Sequence, residues 1–313
     1  MKTQAYLFSI SFFCFLAIFS GCSSPKIEEK GVFQNMGNLK TEIEKAFQET
    51  SGEFALAFQE IGGAERRLLI NEKTQFHAAS TMKTPVMIEV FKQAAEGKFS
   101  MEDAMIVKNE FYSIVDSSLY SLSTTDDSED NLYGVLGEKR PIKELVYDMI
   151  IWSSNLATNL VIELVDAKTV TQSMREMGAP SIQVLRGVED IKAYEKGLNN
   201  TTTAYDLMVI FEKIAEGKAV NKEASEAMIN VLLDQKFNAV IPAELPKEVK
   251  VAHKTGWIST VHHDSGIVIL PDGRRYVLVL LSRNWDSDKA AIKTMAGVSK
   301  KIYDFVNQTN DKL

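Results

Sequence analysis

Strand patterns lie only near the two ends of this 313-residue chain, and a long helical stretch separates them. Leu39, Ile43, Ala46 and Phe47 repeat at helical spacing, and then Phe54 to Gln59 and Arg66 to Ile70 read as strands joined through Gly62-Gly63. Strands return at Val249 to Thr255, Gly266 to Leu270 and Tyr276 to Leu281. Pro271-Asp272-Gly273 turns the last pair, and a closing helix is predicted near Lys289 to Val306. In between, Thr84 to Gln93, Ile142 to Ile151, Leu156 to Val165, Val170 to Met177, Ala204 to Ala215 and Lys222 to Leu233 each carry an apolar face. No strand of comparable strength interrupts them. The pattern predicts an α+β lobe built from both termini (about 38–83 and 240–313) with an all-α lobe inserted (about 84–239). The cleft between the lobes is the expected site.

The chain is long enough to bury a sizeable core, and its formal charge of -7 is spread without a basic stripe, which argues against a nucleic-acid partner. Lys2 precedes an apolar run from Tyr6 to Phe19 that is too short to span a bilayer comfortably, so residues 1–21 read as an export signal. Phe19-Ser20-Gly21-Cys22 resembles a bacterial lipobox, although Phe19 stands where Leu is usual. Cleavage there would leave Cys22 lipidated and the protein membrane-anchored, in the periplasm or at the cell surface, with residues 22–37 as a polar tether.

Cys14 would leave with the signal, so the mature domain has no cysteine for a disulfide or a thiolate metal site. No metal or other cofactor is expected. His262-His263-Asp264 are adjacent on a strand, where side chains alternate between faces. His77 reads as a core histidine, and the acidic run Asp126 to Asp130 as a solvated loop.

Ser80-Thr81-Met82-Lys83 sets a hydroxyl and an amine three residues apart, on one face of a helix start. A serine hydroxyl needs a base to become a nucleophile, and a partly desolvated lysine can serve. Ser23-Ser24-Pro25-Lys26 has the same spacing, but only Ser80 follows an apolar strand region and precedes a helix opened by Thr84-Pro85. Ser153-Ser154-Asn155 and Lys254-Thr255-Gly256 follow in order.

These three elements resemble the class A β-lactamase family and its penicillin-binding relatives, whose signature is Ser-x-x-Lys, Ser-Asp-Asn and Lys-Thr-Gly. Asn155 to Leu160 and Thr201 to Ala204 resemble flanking segments of that family, and the run Arg186 to Asp190 resembles a subgroup of its serine hydrolases. The resemblance implies an antiparallel sheet lobe, a small-molecule substrate and a monomer. It makes Ser80 the nucleophile, Lys83 its proton partner and Ser153 the donor to the leaving nitrogen. Asn155 would hold substrate amides, Lys254 would set the local potential, and Thr255, Gly256 and Trp257 would line the substrate. Backbone N–H groups of Ser80 and Trp257 would form the oxyanion hole.

Ser154 stands where the family usually has Asp, and Trp257 where it has a small residue. For the deacylating carboxylate, Glu189 has the better spacing from Asn155 and follows Arg186, a possible partner within the loop. Glu195 instead keeps the local Glu-x-x-Leu-Asn pattern. His263, counted along the strand from Lys254, is expected to steady a substrate carboxylate, with His262 as the alternative if a bulge swaps the two. The expected activity is acylation and hydrolysis of β-lactams by an exported serine hydrolase. The alternatives are a D-alanyl peptidase or esterase that β-lactams only acylate, and a binding lipoprotein without turnover.

Overall fold

The computed structural model describes Met1 and residues 26–62 and 66–308, with side chains of the second stretch onward from Met36. The expected export signal, Cys14 and Cys22 lie outside the described residues. Helix α1 (Lys26–Gln48) begins inside the stretch expected as a tether. Its Leu39, Ile43 and Phe47, four residues apart, are buried on one face. β1 (Glu53–Ile61) and β2 (Arg67–Ile70) form the expected hairpin.

The chain continues through β3 (Phe76–His77), a 3-10 turn (Ala79–Met82), α2 (Lys83–Ala95), β4 (Ala104–Ile106), β5 (Phe111–Tyr112), β6 (Leu119–Tyr120) and β7 (Lys139–Pro141). Next come α3 (Ile142–Ile151), α4 (Asn155–Val165), α5 (Ala167–Glu176), α6 (Ile191–Glu195), β8 (Thr201–Thr202), α7 (Ala204–Ala215) and α8 (Lys222–Leu233). β9 (Lys250–Ile258), β10 (Val261–Ile269), β11 (Arg275–Arg283) and α9 (Asp288–Gln308) complete it. Helix starts follow side-chain caps: Thr203 accepts from Asp206 N–H and Asn221 from Ala224 N–H.

The main sheet is antiparallel in the order β2-β1-β11-β10-β9, so strands from both termini do meet. Both faces are covered, and residues of β1 alternate between two cores. Phe54, Leu56 and Phe58 pack with Tyr276, Leu278 and Leu280 under α1 and α9. Ala55 and Ala57 face the other core, whose helices include α2, α4 and α7. Small residues there let α7 lie close against β1 and β11.

The inserted lobe is not purely helical. Short antiparallel pairs β4–β7 and β5–β6 interrupt it, and β3–β8 ties the segment before Ser80 to the start of α7. Strands of two or three residues are too short for alternation to register in a sequence.

Candidate active site

Ser80 lies in the 3-10 turn between β3 and α2, directly after Ala79, whose φ of 45° is in the left-handed region. Such a backbone costs on the order of 1 kcal/mol or more and persists only where neighbours hold it. Here the Ala79 N–H donates to His77 Nδ1 at 3.0 Å, and Thr81 Oγ1 donates to the Ala78 carbonyl at 2.6 Å. β9 presses onto the same turn: a β-carbon at Gly256 would sit 3.1 Å from Ser80 N and 3.0 Å from Thr81 N. A side chain there would crowd the backbone of the Ser80 turn, so glycine suits this close approach of Ser80 to the strand bearing Lys254 and Trp257.

Ser153 occupies the tight turn between α3 and α4 with φ 59°, and its hydroxyl lies between two buried amines. Lys83 Nζ donates to Ser153 Oγ at 3.2 Å, to Ser153 O at 2.7 Å and to Asn155 Oδ1 at 3.0 Å. Lys254 Nζ donates to Ser153 Oγ at 3.1 Å and to Thr255 O at 2.9 Å. Burial lowers the Lys83 amine to about 7, against the opposing charges of Asp127 and Glu189. Burial, and then repulsion from Lys83, holds Lys254 well below the usual lysine range, while Asp264 opposes the shift. A hydroxyl shared by two reluctant cations is placed to pass a proton.

The acidic run is exposed at Asp126, Ser128 and Asp130, as expected of a solvated loop, but part of it also engages the site. Asp126 O accepts from Asn155 Nδ2 at 2.9 Å, and the Asp127 carboxylate accepts the Asn155 and Leu156 N–H groups at 2.8 and 2.9 Å. The reason is the helix: the first N–H groups of α4 have no partner within it and attract an anion.

Glu189 borders the cleft, half-buried, with φ 60°. Its loop is pinned by Asn159, which accepts Val188 N–H at 2.7 Å and donates to Val188 O at 3.0 Å. A β-carbon at Gly187 would lie 2.4 Å from Asn159 Oδ1, so that position needs glycine. Arg186, a possible partner of Glu189, hydrogen-bonds the carbonyls of Leu198 and Gly187, both at 2.9 Å, and reaches Glu189 through its charge. Burial and Asp126 raise the Glu189 carboxyl, while Arg186 and Lys83 oppose this. Glu195 is exposed at the end of α6 and does not line the cleft.

The expectation for His263 is overturned. It is fully buried, its Nε2 bonds the His77 carbonyl at 2.9 Å, and its Nδ1 accepts the Ser282 N–H at 3.2 Å. His263 is paired with Gly256 in register and therefore shares the face pressed onto the Ser80 turn. His262, opposite Trp257, faces the cleft and bonds Asp288 at 2.8 Å, while Asp264 bonds His253 at 2.8 Å. No bulge is required. His77, expected in the core, is half-buried and also borders the cleft.

Burial lowers both His77 and His263 to about 4. An unfolded chain would bind protons there at ordinary histidine pH, so the stabilisation is complete above about 6.5 and is lost as pH falls towards 4. For His263 it amounts to at most about 3 kcal/mol. His263→Gln, which keeps a donor towards His77 O, should flatten the fall in thermal midpoint between those pH values. An equally steep fall would show that His263 is not a source of it.

The cleft has two arms meeting at Ser80 and Trp257. One, of about 620 Å³, is lined by Asp126, Asn155, Glu189 and Tyr194. The other, of about 490 Å³, is lined by Ser153, Lys236, Thr255 and His262. Trp257 is 59% exposed and borders both arms. Lys236, Tyr194 and Asp127 carried no motif that marked them in the sequence.

The model of the β-lactamase enzyme family matches residues 38–306, and the chain belongs to that family. It is therefore a hydrolase of the β-lactam-opening class. A β-lactamase of Bacteroides uniformis is 24% identical over 226 residues, covering 66% of this chain and 76% of that one. The TLA-1 extended-spectrum β-lactamase superimposes with TM-score 0.78 at 20% identity, covering 87% of this chain and 99% of its own. PBP-A does so with TM-score 0.73 at 25% identity, covering 88% and 97%. The β-lactamase/transpeptidase-like α+β fold expected from the motifs is the fold observed.

Proposed function

We propose that this protein hydrolyses β-lactams through an acyl-enzyme on Ser80, released by water that Glu189 activates. The observation that carries the reading is the Ser153 hydroxyl held between Lys83 at 3.2 Å and Lys254 at 3.1 Å, in the cleft that Ser80 and Glu189 also line. A substrate carboxylate entering beside Thr255 and Lys236 favours the charged form of Lys254, and repulsion then favours neutral Lys83. Neutral Lys83 takes the Ser80 proton as Oγ bonds the lactam carbonyl carbon. The carbon–nitrogen bond breaks, and the nitrogen receives a proton from Ser153 Oγ, which Lys83 replaces. Water then attacks the ester, giving its proton to Glu189, and the Ser80 oxygen leaves as that proton is passed on to it, by way of Lys83, so that Glu189 and Lys83 both return to their starting forms.

Asn155 orients the substrate amide, and the backbone N–H groups of Ser80 and Trp257 receive the developing oxyanion. A monomer as the working unit is part of the proposal and rests on the family resemblance of the sequence alone. Export and anchoring through Cys22 are part of the proposal and rest on the sequence of residues 1–22 alone.

The competing reading, a D-alanyl peptidase or esterase that β-lactams only block, shares every acylation residue. A chromogenic cephalosporin separates the two. Sustained turnover beyond one equivalent is expected, and a burst of one equivalent followed by silence would favour the competing reading.

A further inference from the structure

We propose that Asp127 is a positioning residue of the active site: its carboxylate seats the first turn of α4, and with it the Ser153 and Asn155 that Lys83 holds, and sets negative charge beside them. Helix α4 has a serine N-cap, Ser154, whose hydroxyl accepts only the Ala157 N–H, at 3.2 Å. That leaves the N–H groups of Asn155 and Leu156 to be satisfied from outside the helix. Asp127 accepts both, one on each carboxylate oxygen, at 2.8 and 2.9 Å. Tyr133 Oη donates to the same carboxylate at 3.0 Å, and Ser154 Oγ reaches it at 3.5 Å. The loop thus grips the same helix start that Lys83 holds, through the Ser153 carbonyl at 2.7 Å and Asn155 Oδ1 at 3.0 Å. Ser153, strained at φ 59°, is fixed by the two grips.

The charge has its own consequence. Burial lowers the Lys83 amine, and Asp127 is the foremost of the charges opposing that, ahead of Glu189. Lys254 on β9 is the cation facing Lys83 across Ser153. Asp126 and Glu129 lie on the loop of Asp127, with Arg186 beside Glu189. Without Asp127, Glu189 remains as a charge that favours the ammonium form, beside the acceptors Ser153 O and Asn155 Oδ1, against burial and Lys254.

Asp127→Asn and Asp127→Ser each keep an acceptor oxygen but remove the charge. The readout is the Lys83 titration in protein carrying 13Cε-labelled lysine, followed by NMR. In both variants the midpoint should move to lower pH, by more than about half a unit. The rising limb of the acylation rate against pH should move with it. A lowered melting temperature with an unmoved Lys83 midpoint overturns the proposal, because a cap alone would do that. The kinetic arm rests on the acylation reading. If the parent protein takes no penicillin, that reading fails, and the NMR midpoint still decides the role of Asp127.

Discussion

Ser80→Ala is expected to abolish covalent labelling by a fluorescent penicillin, a fall of at least about a thousandfold. The substitution removes only the oxygen that becomes the ester. Ser80 is half-buried, and the turn around it is held by the contacts of Ala78, Ala79 and Thr81 rather than by its own hydroxyl. Thermal stability should therefore change by no more than about 0.5 kcal/mol, as for substitutions that break no cap, core or network. Ser23→Ala, in the other Ser-x-x-Lys spacing, should label like the parent. Undiminished labelling of Ser80→Ala would remove the nucleophile from the account.

Glu189→Gln should acylate normally and then stall, with release slowed by about a hundredfold to ten-thousandfold. An amide in the same half-buried place can orient water but cannot take its proton. Glu195→Gln should release product close to the parent rate, because that side chain is exposed at the end of α6. Accumulation of the acyl-enzyme in Glu195→Gln and not in Glu189→Gln would reverse the assignment. Burial and Asp126 raise the Glu189 carboxyl, so its basic form is lost, as pH falls, earlier than for an ordinary glutamate. Release in the parent should weaken on that acid side, and the stalled Glu189→Gln should show no such limb.

The parts of this site legible in the sequence are those where chemistry and local spacing coincide. Ser80 with Lys83 is one helical turn, Ser153 with Asn155 is one interhelical turn, and Lys254 is read from a strand pattern. The helices of the inserted lobe were legible because their buried faces are long, and α3, α7 and α8 lie where the periodicity put them. Asp127 was not legible. A carboxylate that caps a helix from a loop 28 positions upstream leaves no spacing rule to follow. The histidine pair failed for a different reason. The expectation held that the face carrying Lys254 is the face open to substrate, whereas Lys254 is itself fully buried and only its long stem reaches Ser153. A shorter ring on that face, His263, stays beneath the Ser80 turn.

The functional assignment depends on whether an ester forms on Ser80 and is then hydrolysed. Intact-protein mass spectrometry of the parent and Glu189→Gln, quenched at intervals after mixing with benzylpenicillin and followed by peptide mapping, measures both steps. The account expects one penicilloyl adduct on the peptide containing Ser80, transient in the parent and persistent in Glu189→Gln. No adduct in either protein, or one mapping to another residue, would contradict it.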